Sequence, residues 1–375
     1  MAISISSDFD GGNIEVLGGE GPRLDLAIRP DNGSEFLQWF YFRVDGAAGQ
    51  ALELRITNAG KAAYPDGWPD YRACFSGDDM DWVRAETSYA DGVLTIRRRV
   101  ETDRAWFAYF APYPEARRAA LVTRLAADPR VTHRVLGQTL DGRPVDLLSV
   151  GDGPVKVWLT ARQHPGETMA EWWMEGVLEL LTSEDPLAAK LRAGARFHIV
   201  PNMNPDGSAR GHLRTNAVGV NLNREWHAPS LERSPEVFHV RAAMDETGVD
   251  FAIDAHGDES IPYVFVAGFD GIPSYRPETA QLFRRYVEAL AARTPDFQTA
   301  HGYPPAPAGR ANLTMATNQL AERYGAVSMT LEMPFKDNFD APEPVRGWSP
   351  ERSAGLGRDC LAVLADLLGD LAAKG

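Results

Sequence analysis

Val155-Lys156-Val157-Trp158-Leu159 is a short, nearly unbroken apolar run. It leads through the polar turn His164-Pro165-Gly166-Glu167 into a stretch where Met169, Trp172, Trp173, Val177, Leu178 and Leu181 recur at helical spacing. A strand that is apolar on both faces needs cover on both sides, and the amphipathic stretch after it supplies one side. The alternation continues downstream. Apolar strands are expected over residues 196–200, Phe251-Ala252-Ile253-Asp254, 263–266 and 327–331, and helices over 235–246, 277–292, 314–322 and 356–368. That order predicts an α/β domain built on a mixed sheet.

Upstream the texture differs. Residues 36–44, Ala51-Leu52-Glu53-Leu54-Arg55-Ile56, Val93-Leu94-Thr95-Ile96-Arg97 and Ala105-Trp106-Phe107-Ala108-Tyr109-Phe110 are short, aromatic or β-branched, and separated by Gly, Asp, Asn and Pro turns. None carries a helical apolar stripe, which predicts an antiparallel β-sandwich. The change falls within residues 112–120, so the expected organisation is a β-sandwich domain over 1–113 and an α/β domain over 114–375.

A chain of 375 residues with 44% hydrophobic content buries roughly three quarters of the surface its unfolded form exposes, so its fold does not depend on metal or disulfide staples. The balance of 38 basic to 52 acidic residues gives a net charge of −14, and no basic run exceeds Arg97-Arg98-Arg99. That argues against nucleic acid and anionic membrane surfaces as partners. Cys74 and Cys360 lie far apart with no CxxC, which argues against a thiolate metal site and a disulfide framework. The opening residues have no basic and apolar leader pattern and no apolar run approaches membrane-spanning length, so a cytoplasmic setting is expected. Nothing in the sequence sets an oligomeric state.

Few histidines are present, 8 in all, and two fall where an α/β sheet presents its functional loops. His164 and Glu167 stand three apart in a Pro-Gly turn, and Asp254-Ala255-His256-Gly257-Asp258 follows an apolar strand. Two imidazoles and a carboxylate form a recognised zinc set that leaves a position for water. The plain alternative is a helix-start cap at His164 and a loop histidine at His256. Glu332, in Thr330-Leu331-Glu332-Met333, ends an apolar strand, where a partly buried carboxylate serves as a general base or as a salt-bridge partner. Asn204-Pro205-Asp206-Gly207 is a turn signal. Arg210, Arg214 and Arg224 follow it beside Asn221-Leu222-Asn223, and guanidinium forks can clamp carboxylates.

These strings, in this order, resemble the zinc metallocarboxypeptidases of the M14 class. The similarity is closest to the cytosolic carboxypeptidase subgroup, in which a β-sandwich precedes the catalytic domain. Phe9-Asp10-Gly11-Gly12-Asn13, Trp39-Phe40-Tyr41-Phe42 and Tyr109-Phe110-Ala111-Pro112-Tyr113 look like that subgroup's N-terminal signatures. The resemblance implies one zinc ion per chain held by His164, Glu167 and His256, with Glu332 as the catalytic glutamate. It implies that Arg214 polarises the scissile carbonyl, that Asn223 and Arg224 hold the free carboxylate, and that peptide or protein C-termini are the substrates. Two positions depart from the pattern. Many relatives have Asp-Leu-Asn-Arg where this chain has Asn221-Leu222-Asn223-Arg224, so an amide replaces the carboxylate that in them supports a zinc-bound histidine. The basic pocket residue of glutamate-removing members has Arg310 as its candidate here, the alternative being a surface loop arginine, in which case a small or apolar C-terminal residue is expected instead of an acidic one. Tyr303 is the candidate for the tyrosine that closes over substrate in other carboxypeptidases.

Two other readings keep part of the pattern. Amidohydrolases related to succinylglutamate desuccinylase and aspartoacylase use a similar HxxE and His set on small non-peptide amides, but lack a long N-terminal β-domain. An inactive binding module leaves the ligands, base and clamp unexplained.

Overall fold

Strands Val155–Ala161 and Phe251–Asp258 run parallel, with Leu159 opposite Ile253 and Ala161 opposite Ala255. Strand Val327–Pro334 lies parallel on the other side of Phe251–Asp258, with His256 opposite Glu332. All eight positions of Phe251–Asp258 and of Val327–Pro334 are buried, as expected of parallel strands covered on both faces. The computed structural model describes residues 3–374. The sheet has seven strands in the order Val131–Gln138, Pro144–Val150, Ala195–Val200, Val155–Ala161, Phe251–Asp258, Val327–Pro334, Phe265–Ala267. Its central four are parallel, and the outer three pair antiparallel.

Helices cover both faces. On one, Met169–Leu181 packs along Pro350–Lys374. Their close approach depends on glycine, because a Cβ at Gly176 would lie 2.2 Å from the Ala354 carbonyl oxygen. On the other face, Val237, Val240 and Met244 of Pro235–Thr247 join Trp158 and Leu320 in a second cluster. Among the described residues, no helix is long and apolar enough to cross a membrane.

The N-terminal strands form two five-stranded sheets. One orders Ser4–Ser6, Tyr41–Asp45, Arg104–Ala108, Cys74–Ser76 and Val83–Arg84; the other orders Glu15–Glu20, Arg23–Ala27, Ala51–Ile56, Val93–Arg99 and Glu86–Ala90. Ala51–Ile56 alternates between buried leucine or isoleucine and half-exposed or exposed neighbours, which marks a strand with one face on a core. Phe42 and Phe107 stack with ring centroids 5.5 Å apart. Pairing is antiparallel except between Arg23–Ala27 and Ala51–Ile56.

Several boundaries differ from expectation. Residues 36–40 are not strand; only Tyr41–Asp45 is. Gln38 there is buried and tied through its side chain, accepting from the Tyr64 N–H at 2.8 Å and donating to the Tyr109 hydroxyl at 2.9 Å. Side-chain anchorage therefore replaces a ladder. The polar, Ala-rich segment after Pro114 is helix Glu115–Ala126, whose buried face is Arg118, Leu121, Val122 and Leu125. Strand Phe251–Asp258 runs beyond Asp254, so His256 lies within it rather than in a following loop.

Candidate active site

Strand Val155–Ala161 ends at Arg162, which adopts φ +60°. A left-handed turn at a non-glycine residue is costly and persists only when its surroundings hold it. Here the Arg162 guanidinium donates to the carbonyls of Pro165 at 2.6 Å and Tyr113 at 3.2 Å, and pairs with Glu171. The turn directs His164 and Glu167 beneath the neighbouring strand. Gly166 lets this turn abut the 213 loop, its N–H donating to the Leu213 carbonyl at 2.8 Å, where a Cβ would lie 2.9 Å from that oxygen.

The three candidate ligands converge. Nδ1 of His164 lies 2.7 Å from Glu167 Oε1, and Nδ1 of His256 lies 2.7 Å from Glu167 Oε2. The two Nδ1 atoms are 3.2 Å apart, and all three side chains are buried. Each far ring nitrogen has its own acceptor: His256 Nε2 is 2.7 Å from Asp254 Oδ2, and His164 Nε2 is 3.1 Å from Asn221 Oδ1. With Nε2–H donated outward, each ring turns its Nδ1 lone pair toward Glu167. Converging lone pairs and a buried carboxylate form a donor set that suits a divalent cation. The charges act in opposite senses on the two rings, so His164 offers a free lone pair while His256 keeps a proton that a bound cation would displace. Burial and the Arg214 charge bring His164 down to about 4, while Asp254 and Glu167 outweigh burial and hold His256 well up.

Glu332 stands across the strand pair from His256. Burial, reinforced by Glu167, Asp258 and Glu259, outweighs the opposing pull of His256 and pushes its carboxyl well above the ordinary range; a cation bound beside Glu167 would pull it back down, in the same sense as His256. Its Oε2 is buried with no hydrogen-bond partner, and Oε1 accepts from the Tyr303 hydroxyl at 3.3 Å. The single proton of that hydroxyl goes mainly to Asp258 Oδ2, at 2.5 Å, which leaves the longer contact to Glu332 weak. The cavity in front of these groups, about 410 Å³, is lined also by Tyr64, Arg214, Asn223, Arg224, Glu259 and Met315. Asn223 Oδ1 accepts from the Ala316 N–H at 2.8 Å, which leaves its amide N–H₂ as the free end. The Arg224 guanidinium bonds the Asn223 carbonyl at 2.7 Å.

Eight of the nine residues to which the resemblance gives a role thus share one cavity wall or its metal corner, while Arg210 pairs with Asp141 away from it. Arg310, the ninth, does not share it. It is exposed and lines an adjoining cavity that shares Ala267, Tyr303 and Met315 with the first. The sequence reading assigned no role to Asp254, Tyr64, Asp258 or Glu259. Asp254 had a signal, since residues two apart on a strand share a face with each other and hence with His256. Tyr64 and Glu259 had none.

Residues 118–343 match the zinc carboxypeptidase family, and residues 5–110 match the cytosolic carboxypeptidase N-terminal domain. An uncharacterised protein of Zymomonas mobilis is 59% identical over 376 residues, covering 100% of this chain and 99% of that protein. Human cytosolic carboxypeptidase 1 is 29% identical over 71% of this chain, and the chain spans only 26% of its length. A Pseudomonas aeruginosa metallo-carboxypeptidase, solved in complex with (2-guanidinoethylmercapto)succinic acid, superposes with a TM-score of 0.95. It is 45% identical, and the match covers 98% of this chain and 100% of that one. The metal corner, the sheet that carries it and these similarities agree, and the chain belongs to the M14 zinc carboxypeptidase family, with an N-terminal domain of the cytosolic carboxypeptidase type.

Proposed function

We propose that the chain is a zinc-dependent peptidase that removes the C-terminal residue of peptides or proteins, with one zinc held by His164, Glu167 and His256. The observation that carries this reading is that one cavity, with the His164, Glu167 and His256 cluster at its corner, holds a buried carboxylate with one unpartnered oxygen and a cationic wall. A zinc ion held by these three residues would supply polarisation of a carbonyl and a lowered pKa for water. Glu332 Oε2 takes the proton of the attacking water and returns it to the leaving amine. Arg214 faces the scissile carbonyl and stabilises the charge that grows on its oxygen. Asn223 Nδ2 and the Arg224 guanidinium bind the free terminal carboxylate, which selects chain ends over internal peptide bonds. The succinic-acid ligand of the Pseudomonas relative supports a site that receives carboxylates.

The reading extends to the side chain removed. The shared wall of Ala267, Tyr303 and Met315 leads from the first cavity toward Arg310, whose guanidinium has no ion-pair partner among the described residues. A C-terminal glutamate reaching past that wall would meet this charge, so we take acidic residues as the preferred leaving group and Tyr303 as a residue that contacts them. We take 1–113 and 114–375 as the two domains, since each of the three sheets lies wholly on one side of that boundary. A cytoplasmic setting fits Cys74 and Cys360, which are buried and unpaired.

The test is a matched peptide series with free and amidated C-termini, ending in Glu or Leu, on zinc-loaded protein and on Arg310→Ala. The reading predicts cleavage of free acids only, and a larger loss of kcat/KM for Glu than for Leu in the variant. Equal cleavage of amidated peptides would overturn the exopeptidase reading, and equal losses on both substrates would overturn the role of Arg310.

A further inference from the structure

Asp31 belongs to the N-terminal half of the chain and is 2% exposed; its backbone bonds Phe36 and Ser34 of that half, but among the described residues its carboxylate takes no partner there. Its carboxylate instead accepts three successive backbone N–H groups of the catalytic half: Leu213 at 2.6 Å, Arg214 at 2.8 Å and Thr215 at 2.8 Å. The Thr215 hydroxyl adds a fourth bond at 2.9 Å. Three consecutive amides aimed at one carboxylate fix the backbone of the residue between them. That residue is Arg214. Its guanidinium makes no hydrogen bond among the described residues, and it lies 5.6 Å from the ring centroids of both Phe36 and Tyr64. Both rings also come from the N-terminal half, and they orient the cation while leaving its N–H donors unspent.

We infer that Asp31 is a positioning residue for Arg214, so that the N-terminal domain completes the active site rather than only shielding it. The inference rests on the reading of Arg214 given above. In Asp31→Asn one carboxylate oxygen becomes an N–H₂ that faces backbone N–H donors, so the 213–215 turn opens and the guanidinium shifts. Misplacement of a reacting group by about 1 Å costs roughly 100-fold in rate.

The test is steady-state turnover of a free-acid peptide by the zinc-loaded full chain carrying Asp31→Asn, Arg214→Ala, or both. Arg214→Ala should lower kcat. Asp31→Asn should lower kcat by about 10- to 100-fold with KM within about twofold, because the carboxylate clamp is untouched. In the Arg214→Ala background the same change should alter kcat by less than about twofold. If Asp31→Asn does not fold, Thr215→Val removes a single bond to Asp31 and should show the same pattern at about threefold. Equal effects of Asp31→Asn in both backgrounds, or no effect where Arg214→Ala is impaired, would overturn the inference. An unimpaired Arg214→Ala would overturn the reading of Arg214 and the inference with it.

Discussion

Asn221 Oδ1 lies 3.1 Å from Nε2 of His164, so an amide supports this proposed zinc ligand while a carboxylate, Asp254, supports the other, His256, at 2.7 Å. A carboxylate raises ligand basicity more than an amide does, and changes at such supporting positions alter metal affinity by about 10- to 100-fold. Asn221→Asp should therefore tighten zinc binding by about tenfold, measured by competition with a chromophoric chelator. Weaker binding would mean that the amide is matched to a need that basicity does not describe.

Glu332 Oε2 is buried without a partner in the cavity. Glu332→Gln keeps the shape and removes the proton acceptor, so zinc content should stay at the wild-type level while kcat falls by about 100-fold or more. Near-normal kcat at full zinc occupancy would assign the proton transfer to another group.

Glu236 sits in the first turn of Pro235–Thr247 with both carboxylate oxygens buried; its own backbone N–H and the Asn216 amide lie near the carboxylate, and neither completes a well-formed hydrogen bond. Burial, reinforced by Asp206 and Asp141, pushes its pKa up from 4.5 to about 8. A raised folded pKa means that the stability from its protonated form is fully present below about pH 4.5 and is lost as pH rises through about 8. The wild type should lose about 2–3 kcal/mol relative to Glu236→Gln between pH 6 and pH 9, read from urea denaturation midpoints. Parallel pH profiles for the two proteins would contradict this.

Arg84 reaches out of the N-terminal half, and its buried guanidinium donates to the carbonyls of Phe335 at 2.9 Å and Trp348 at 3.0 Å, and through Nε to Arg346 at 2.8 Å. Tyr109 stacks on Phe335 with centroids 4.4 Å apart. These contacts tether the chain just beyond Glu332 to the N-terminal sheets. Arg84→Ala leaves several buried carbonyls unpaired and should cost about 3 kcal/mol or more of unfolding free energy. A fragment beginning at Pro114 should be unstable for the same reason. A monodisperse, fully active fragment would contradict it.

The catalytic sheet was legible because its strands are apolar on both faces and its ligands sit beside them in polar strings; Val157, Ile253 and Leu331 read as core without context. The antiparallel strands Val131–Gln138 and Pro144–Val150 were not: the first is mostly exposed or half-exposed and carries no apolar run, and the second, though buried, is interrupted by Asp146 and Ser149. Residues 36–40 carry aromatic side chains like those of a strand, yet Gln38 holds that backbone through side-chain bonds that no periodicity announces. At the site, His164, Glu167, His256 and Glu332 were legible by spacing and resemblance. Asp31 and Tyr64 were not, because their relation to Arg214 joins parts of the chain more than 140 residues apart, and only the packing of the two halves creates it.

The central claim is that His164, Glu167 and His256 hold the zinc on which peptide cleavage depends. The most direct measurement is turnover of one free-acid peptide by chelator-stripped protein as zinc is added back in sub-stoichiometric steps, with bound metal counted in parallel. The account predicts no turnover in the stripped protein and a linear rise that breaks at about one zinc per chain, with the break abolished in His256→Ala. Undiminished turnover in the stripped protein, or an unaltered titration in His256→Ala, would contradict it.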